Sequence, residues 1–244
     1  MIKIDINCDL GEGIGNEAAL MPLLSSCNIA CGGHAGDIST MKAVVELAQD
    51  YGVKIGAHPS FPDRVHFGRQ VVKMSSKALS ESLFGQINSL KLILDRKQLP
   101  LNHIKPHGAL YNLAVIDKNM ALIVIEVVKR FGDDVVLYAP YQSIIAELAI
   151  SKGLKVKFEA FADRNYNEDL TLVSRHQERA LIHDSEAMFQ HVYQMILNGK
   201  VRTLNGVELT LKAETFCVHG DHEKVVRNLK DVIAKLKQHN IEIS

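Results

Sequence analysis

The chain has 244 residues, 47% of them apolar and 23% charged, and its 28 basic residues balance 28 acidic ones. That length suits one α/β domain spanning residues 1–244 with a substantial core. The even charge gives no field to draw nucleic acid or an anionic membrane surface, and no apolar run approaches the roughly 20 residues that cross a bilayer. The first residues, Met1-Ile2-Lys3-Ile4-Asp5, contain no signal-like hydrophobic segment, so a cytoplasmic location is expected.

Residues Ile2 to Asp9 alternate as a strand, with Ile2, Ile4 and Ile6 on one face and Asp5, Asn7 and Asp9 on the other. The loop Gly11-Glu12-Gly13-Ile14-Gly15 follows, then an expected helix from Asn16 to Ser25. Its glycine spacing is wrong for a dinucleotide fingerprint, and Glu12 would face the pyrophosphate. A second apolar strand runs through Asn28-Ile29-Ala30-Cys31 and breaks at Gly32-Gly33, releasing His34 and Asp37 before a helix from Thr40 to Tyr51. Ser39 is the expected cap of that helix and Gly52 its stop. Val53 to Ala57 forms the third strand and feeds His58-Pro59-Ser60-Phe61-Pro62-Asp63-Arg64, with Gly68-Arg69 just beyond.

An amphipathic helix is expected over Ser76–Arg96, then a strand at His103-Ile104-Lys105-Pro106-His107 leading into Gly108-Ala109-Leu110-Tyr111-Asn112. Helices over Asp117–Phe131 and Gln142–Ser151 flank a strand at Val135–Ala139. The sixth strand, Lys155–Ala160, leads into Asp163-Arg164, and the polar segment from Asn167 to Asp184 reads as an excursion or lid carrying Arg175. A helix over Ser185–Leu197 follows, then a hairpin around Asn205-Gly206, the seventh strand Thr215–Val218, His219-Gly220-Asp221, and a last helix to Gln238. The cysteines Cys8, Cys27, Cys31 and Cys217 show no Cys-x-x-Cys spacing and read as small buried thiols.

Seven strands separated mostly by helices predict a parallel sheet with right-handed crossovers. An open sheet covered on both sides would need strands apolar on both faces. Here one face is repeatedly polar: Asp5, Asn7 and Asp9; His103, Lys105 and His107; Glu159 and Asp163; Thr215 and His219. A seven-stranded parallel (β/α) barrel turns that face into a common lumen and gathers the strand ends at one mouth. The residues expected there are Asp9, Glu12, His34, Asp37, His58, Asp63, Lys105, His107, Asp163, Arg164, His219 and Asp221.

Taken together, these strand-end blocks resemble the LamB/YcsF family. The blocks are Asp5–Gly13, Asn28–Asp37, Gly56–Asp63, Lys105–Asn112, Phe161–Arg164 and Val218–Asp221. Three positions depart from the family pattern: Gly33 in place of an aromatic, Gln70 in place of a second arginine after Arg69, and Ser174 in place of a proline before Arg175. Gly33 is expected to widen the pocket.

The resemblance implies a seven-stranded barrel related to glycoside hydrolase and carbohydrate deacetylase barrels. It also implies opening of the 5-oxo-L-proline lactam to L-glutamate coupled to ATP hydrolysis, with Mg2+ accompanying the ATP and two further 5-oxoprolinase subunits as partners. No Gly-x4-Gly-Lys-Ser/Thr loop marks an ATP site in this chain. Such a reaction needs a base for water, cations for phosphate and oxyanion, and an acid for the ring nitrogen. Asp9 or Asp37 is the expected base, with His34 or His58 as the alternative. Lys105 and Arg164 are suited to phosphate or the substrate carboxylate, and His107 and His219 to proton donation. Glu12 and Asp221 complete the catalytic set, while Asn7, Asn28, Asp63, Arg69, Tyr111, Asn112, Asp163 and Arg164 are expected to hold substrate. No bound metal is assigned. The rival readings are a metal-dependent deacetylase or amidohydrolase, whose histidines would hold a cation, and a non-catalytic protein that only binds substrate for its partners.

Overall fold

The computed structural model describes residues 1–244. Its elements in chain order are β1 (Ile2–Leu10), α1 (Glu17–Leu20), a 3-10 turn (Met21–Leu23), β2 (Ser26–Ala30), α2 (Ile38–Tyr51), β3 (Lys54–His58), α3 (Ser76–Arg96), β4 (His103–Ile104), α4 (Gly108–Ile116) and α5 (Lys118–Lys129). Then come β5 (Val136–Pro140), α6 (Ile144–Ser151), β6 (Val156–Phe161), α7 (Ser185–Asn198), the strands β7 (Lys200–Arg202) and β8 (Glu208–Thr210), β9 (Thr215–Val218), α8 (Val225–Gln238) and β10 (Ile241–Ile243).

Seven strands close into a parallel barrel in the order β1-β2-β3-β4-β5-β6-β9, with β9 pairing back onto β1. The closing registers set Asn7 beside Ser26 on one side and Asp5 beside Thr215 on the other. The barrel expected from the polar strand faces is therefore the one observed. The apolar faces of the same strands meet the helices outside, where a contiguous core includes Ile6, Ile29, Ile55, Leu90, Val128 and Leu229. No single helix is long and apolar enough to cross a membrane.

The polar lumen is satisfied by its own members, which is what makes burying it tolerable. Asp5 accepts from Ser26 Oγ at 2.8 Å and Thr215 Oγ1 at 2.5 Å, and its second oxygen faces Lys157 Nζ at 3.1 Å. Asn7 Nδ2 donates to Glu159 Oε1 at 3.0 Å and Thr215 Oγ1 at 2.7 Å. His103 Nε2 donates to Asn28 Oδ1 at 2.7 Å, and its ring stacks on Tyr138 at 4.0 Å between centroids. Gly56 makes room for that ring, since a Cβ there would lie 2.1 Å from His103 Nε2.

Several sequence expectations shift. The helix expected over residues 16–25 is four residues of α1 and a 3-10 turn, because Pro22 brings no backbone N–H to continue an α-helix. Helix α2 begins at Ile38, and its cap is Asp37 rather than Ser39: the Asp37 carboxylate accepts from Thr40 N at 2.8 Å. The strand expected over residues 103–107 is only two residues long, since Pro106 cannot donate to a ladder, and α4 follows over Gly108–Ile116, for which no element was expected. The hairpin is present as β7–β8, with Val201 opposite Leu209. The strand β10, which pairs Ile241 with Ile2, was not anticipated.

Candidate active site at the barrel mouth

Two glycine-framed loops deliver the first acidic and basic groups. Beyond β1, Gly11 and Gly13 take φ of +75° and +85°, turning the chain so that Glu12 reaches back over the mouth. Beyond β2, Gly36 (φ +76°) packs so closely on Ala30 that a Cβ would lie 2.6 Å from its carbonyl oxygen. That tight return buries His34, and Arg64 Nη1 pins the loop through Gly36 O at 3.1 Å. His58 ends β3, His107 precedes the first residue of α4, and Lys105 lies between β4 and α4.

These groups form one corner. Glu12 Oε1 stands 2.9 Å from His34 Nε2, 3.4 Å from His107 Nδ1 and 3.9 Å from His58 Nε2. The rings of His34 and His107 stack at 3.6 Å between centroids. Asp9 Oδ2 lies 3.3 Å from His58 Nε2. Its other oxygen accepts from Lys105 Nζ at 3.0 Å and Asn28 Nδ2 at 2.8 Å. Burial opposes the Asp9 charge, but His58 and Lys105 outweigh it and hold its carboxyl well below the usual range. Burial and the neighbouring Asp9 charge act the other way on Glu12 and push it up to about 7. Burial takes His34 down to about 4.

Lys105 is the buried cation of the site. Its ammonium lies 3.0 Å from each of Asp9 Oδ1, Glu159 Oε1 and Cys217 Sγ. Burial alone would lower it, yet the Asp9 and Glu159 charges keep it well above the ordinary lysine value. Tyr111 Oη donates to Glu159 Oε2 at 2.8 Å, completing the floor. Beyond the adjoining strands β6 and β9, next to Asp9, Asp163 accepts from His219 N at 2.8 Å and from His219 Nδ1 at 3.0 Å, which fixes the imidazole's tautomer and direction.

Above the floor is a cavity of about 510 Å³ whose lining includes Asp9, Glu12, His58, Lys105, His107 and His219. The same lining carries Arg69, Arg164 and Arg175, together with Tyr111, Tyr141, Phe161 and Tyr166. Arg175 Nη1 holds Asp221 Oδ2 at 2.8 Å and Arg69 approaches the same oxygen at 3.4 Å. The segment expected as a lid does cover the mouth: residues 170–176 line the cavity, tied down where Arg164 bridges Leu181 and Tyr166 bridges Leu172. A larger depression of about 980 Å³ beside α7 contains no comparable set of carboxylates, histidines and lysine.

Most of the expected residues are thus brought together, with Asn112 on the rim of the cavity. Asp37 is not: it is an exposed helix cap with its carboxylate committed to Thr40. Asp63 is not either, since it accepts from His66 N at 3.0 Å and shapes the loop after β3. Asn7 and Asn28 lie beneath the cavity and orient Asp9 and Glu159 rather than touching its contents. Asp163 likewise lies outside the cavity lining, against His219. Gly33 does not widen the pocket, because Gln86 of α3 and Ser60 fill the space beside it; a Cβ there would lie 2.4 Å from each. Glu159, Tyr166 and Arg175 were missing from the expected site. Glu159 was legible in the alternation of β6 and Arg175 in its place on the expected lid, whereas nothing local in the sequence aims Tyr166 at the mouth.

The LamB/YcsF family profile matches residues 4–244. The chain belongs to this family. It is 42% identical to a 5-oxoprolinase subunit of Campylobacter jejuni subsp. jejuni serotype O:23/36 over all of this chain and 97% of that one. It is 38% identical to the corresponding 5-oxoprolinase subunit of Haemophilus influenzae strain PittEE over the full length of both. The lactam utilization protein of Thermus thermophilus superposes with a TM-score of 0.91 at 36% identity, over 99% of each chain. A GH18 chitinase from Pseudoalteromonas aurantia shares the fold alone, at a TM-score of 0.54 and 12% identity over 96% of this chain and 99% of that one. These full-length family relationships place the chain with 5-oxoprolinase-related hydrolases.

Proposed function

We propose that this chain carries the lactam-opening site of an ATP-dependent 5-oxoprolinase and works with two partner subunits. The observation that carries the reading is one cavity whose lining gathers a carboxylate–histidine corner, Lys105 and three arginines, Arg69, Arg164 and Arg175. It occurs in a chain matched end to end by relatives named as 5-oxoprolinase subunits. Opening a lactam needs water made nucleophilic on one face of the ring and an anion held on the other.

In this reading the substrate carboxylate is held by Arg164 and Arg175, which places the ring carbonyl over the corner. Asp9, kept ionised by Lys105, takes a proton as water adds to the carbonyl carbon. Lys105 steadies the oxygen that gains charge. The ring C–N bond then breaks, and His219, oriented by Asp163, supplies the proton that the departing nitrogen needs. ATP, with Mg2+, is consumed by the assembly to make the carbonyl a better electrophile; overall one lactam, one ATP and two waters give glutamate, ADP and phosphate. The partners contribute to ATP use, consistent with the lack of a P-loop sequence in this chain.

The test is glutamate release from 5-oxoproline by this chain alone and with its two partners, with and without ATP. Glutamate only with ATP and partners supports the proposal, and none from an assembled complex overturns it. ATP-independent hydrolysis of another small amide would favour the metal-dependent amidohydrolase reading, which the three converging imidazoles also suit.

A further inference from the structure

The hydrogen bonds around His58 and His107 aim two ring lone pairs at one small space beside Glu12 and Asp9. His58 Nδ1 lies 2.7 Å from Lys105 O, and His107 Nε2 lies 2.9 Å from Phe67 O. A carbonyl only accepts, so both of those nitrogens carry hydrogen. The remaining nitrogens, His58 Nε2 and His107 Nδ1, are then bare lone pairs in the neutral rings, and they face each other at 2.9 Å. Glu12 Oε1 stands within 3.9 Å of both, and Asp9 Oδ2 lies 3.3 Å from His58 Nε2. With both rings neutral and Glu12 ionised, four electron-pair donors therefore converge on one small space.

We propose that this space is a divalent transition-metal site, with His58 Nε2, His107 Nδ1 and the Glu12 carboxylate as its protein ligands. The two imidazoles are held as ligand imidazoles usually are, with the far N–H anchored on a backbone carbonyl so that the near lone pair points at the ion. Separations of 2.9, 3.4 and 3.9 Å are within a few tenths of an ångström of those between donors lying about 2.0–2.2 Å from a common ion. Two nitrogens and one carboxylate select a first-row ion such as Zn2+, Co2+, Mn2+ or Fe2+ over Ca2+ or Mg2+.

His34 supports the ligand set from behind. It does not line the cavity, and against a carboxylate its Nε2 donates to Glu12 Oε1 at 2.9 Å. Its Nδ1 is buried without a partner, so the ring is held by that bond and by its stack on His107. Gly68, whose Cβ would lie 2.9 Å from His34 Cβ and 3.0 Å from the His107 ring, keeps the stack tight. With three protein ligands on the wall of the barrel, the ion's open side faces the cavity. In the lactam-opening reading, on which this role rests, an ion there would lower the pKa of the attacking water beside Asp9.

The test is direct. The chain is stripped with a chelator, checked for folding by circular dichroism, and titrated with Co2+ while the visible d–d absorption is recorded. The expectation is one Co2+ per chain, a band intensity typical of low coordination number, and competition by Zn2+. His107→Ala and Glu12→Gln should weaken uptake by about 100-fold or more, and His34→Ala by about 10-fold to 100-fold. His66→Ala, a surface histidine that pairs with Asp63, should bind as the parent does. Folded apo-protein that takes up no Co2+ overturns the site, as does uptake undiminished in both His107→Ala and Glu12→Gln. Metal binding without glutamate formation by the full assembly would overturn the lactam reading and leave the site standing. Glutamate formation at the full rate by an assembly stripped of transition metal and resupplied with Mg2+ and ATP alone would overturn the ion's role in lactam opening and leave the lactam reading standing.

Discussion

Replacing Lys105 by methionine tests the electrostatic core of the barrel most severely. The ammonium is buried, and two carboxylate oxygens, from Asp9 and Glu159, each lie 3.0 Å away. At an effective dielectric constant of about 20, each contact is worth roughly 5 kcal/mol of gross attraction. Dehydrating the ammonium takes back several kcal/mol. Methionine fills most of the volume but leaves two buried carboxylates without their cation. Asn28 still donates to Asp9, and Asn7 and Tyr111 still donate to Glu159, so part of the charge remains solvated by the protein. The expected net loss is about 3–5 kcal/mol, the usual cost of breaking a buried pair from one side. In urea denaturation, with a slope of about 3 kcal/mol per molar, the midpoint should fall by about 1–1.7 M. Adding Glu159→Gln to Lys105→Met should recover at least about 1 kcal/mol, because it neutralises one stranded charge. A single-variant loss below about 1 kcal/mol, or a coupling indistinguishable from zero, would refute the reasoning.

Gly56→Ala should cost about 1–3 kcal/mol, since its Cβ would lie 2.1 Å from His103 Nε2 and push that ring off Asn28; thermal denaturation checks this. Asp37→Ala should lower the denaturation midpoint slightly by uncapping α2 while leaving glutamate formation by the complex unchanged, and a large loss of turnover would return Asp37 to the site. Asp163→Asn should cut kcat by about 10²-fold or more with little change in KM, because His219 would lose the acceptor that sets its tautomer. Outside the mouth, burial lowers His191 to about 4, and its Nε2 has no partner. Between the unfolded value near 6.5 and about 4, the unfolded chain binds a proton that the folded chain refuses, so stability is full above that window and falls as pH drops through it. The loss attributable to His191 is at most about 3 kcal/mol, and His191→Leu should flatten the slope of stability against pH by that share. An unchanged slope in the variant would refute this.

The sequence by itself determined the barrel. Period-two alternation in β1 placed Asp5, Asn7 and Asp9 on one face, and a repeatedly polar strand face requires a shared lumen, because burying such groups against helices would leave them unpaired. The strand-end position of His58, His107 and His219 was legible for the same reason: glycine and proline mark where ladders stop. Local chemistry also explains the errors. Asp37 and Asp63 look like mouth residues in one dimension, yet each is nearest its own backbone and spends its carboxylate there, on Thr40 and His66. What only the tertiary structure decided is which nitrogen of each histidine faces which neighbour. That depends on carbonyls contributed from elsewhere, Lys105 O for His58 and Phe67 O for His107, respectively 47 and 40 residues away. The same holds for Arg175 and Tyr166, which reach the cavity because the segment after β6 folds back over the mouth. Spacing records where the backbone changes direction; the direction of a lone pair is set by whatever the completed fold packs against it.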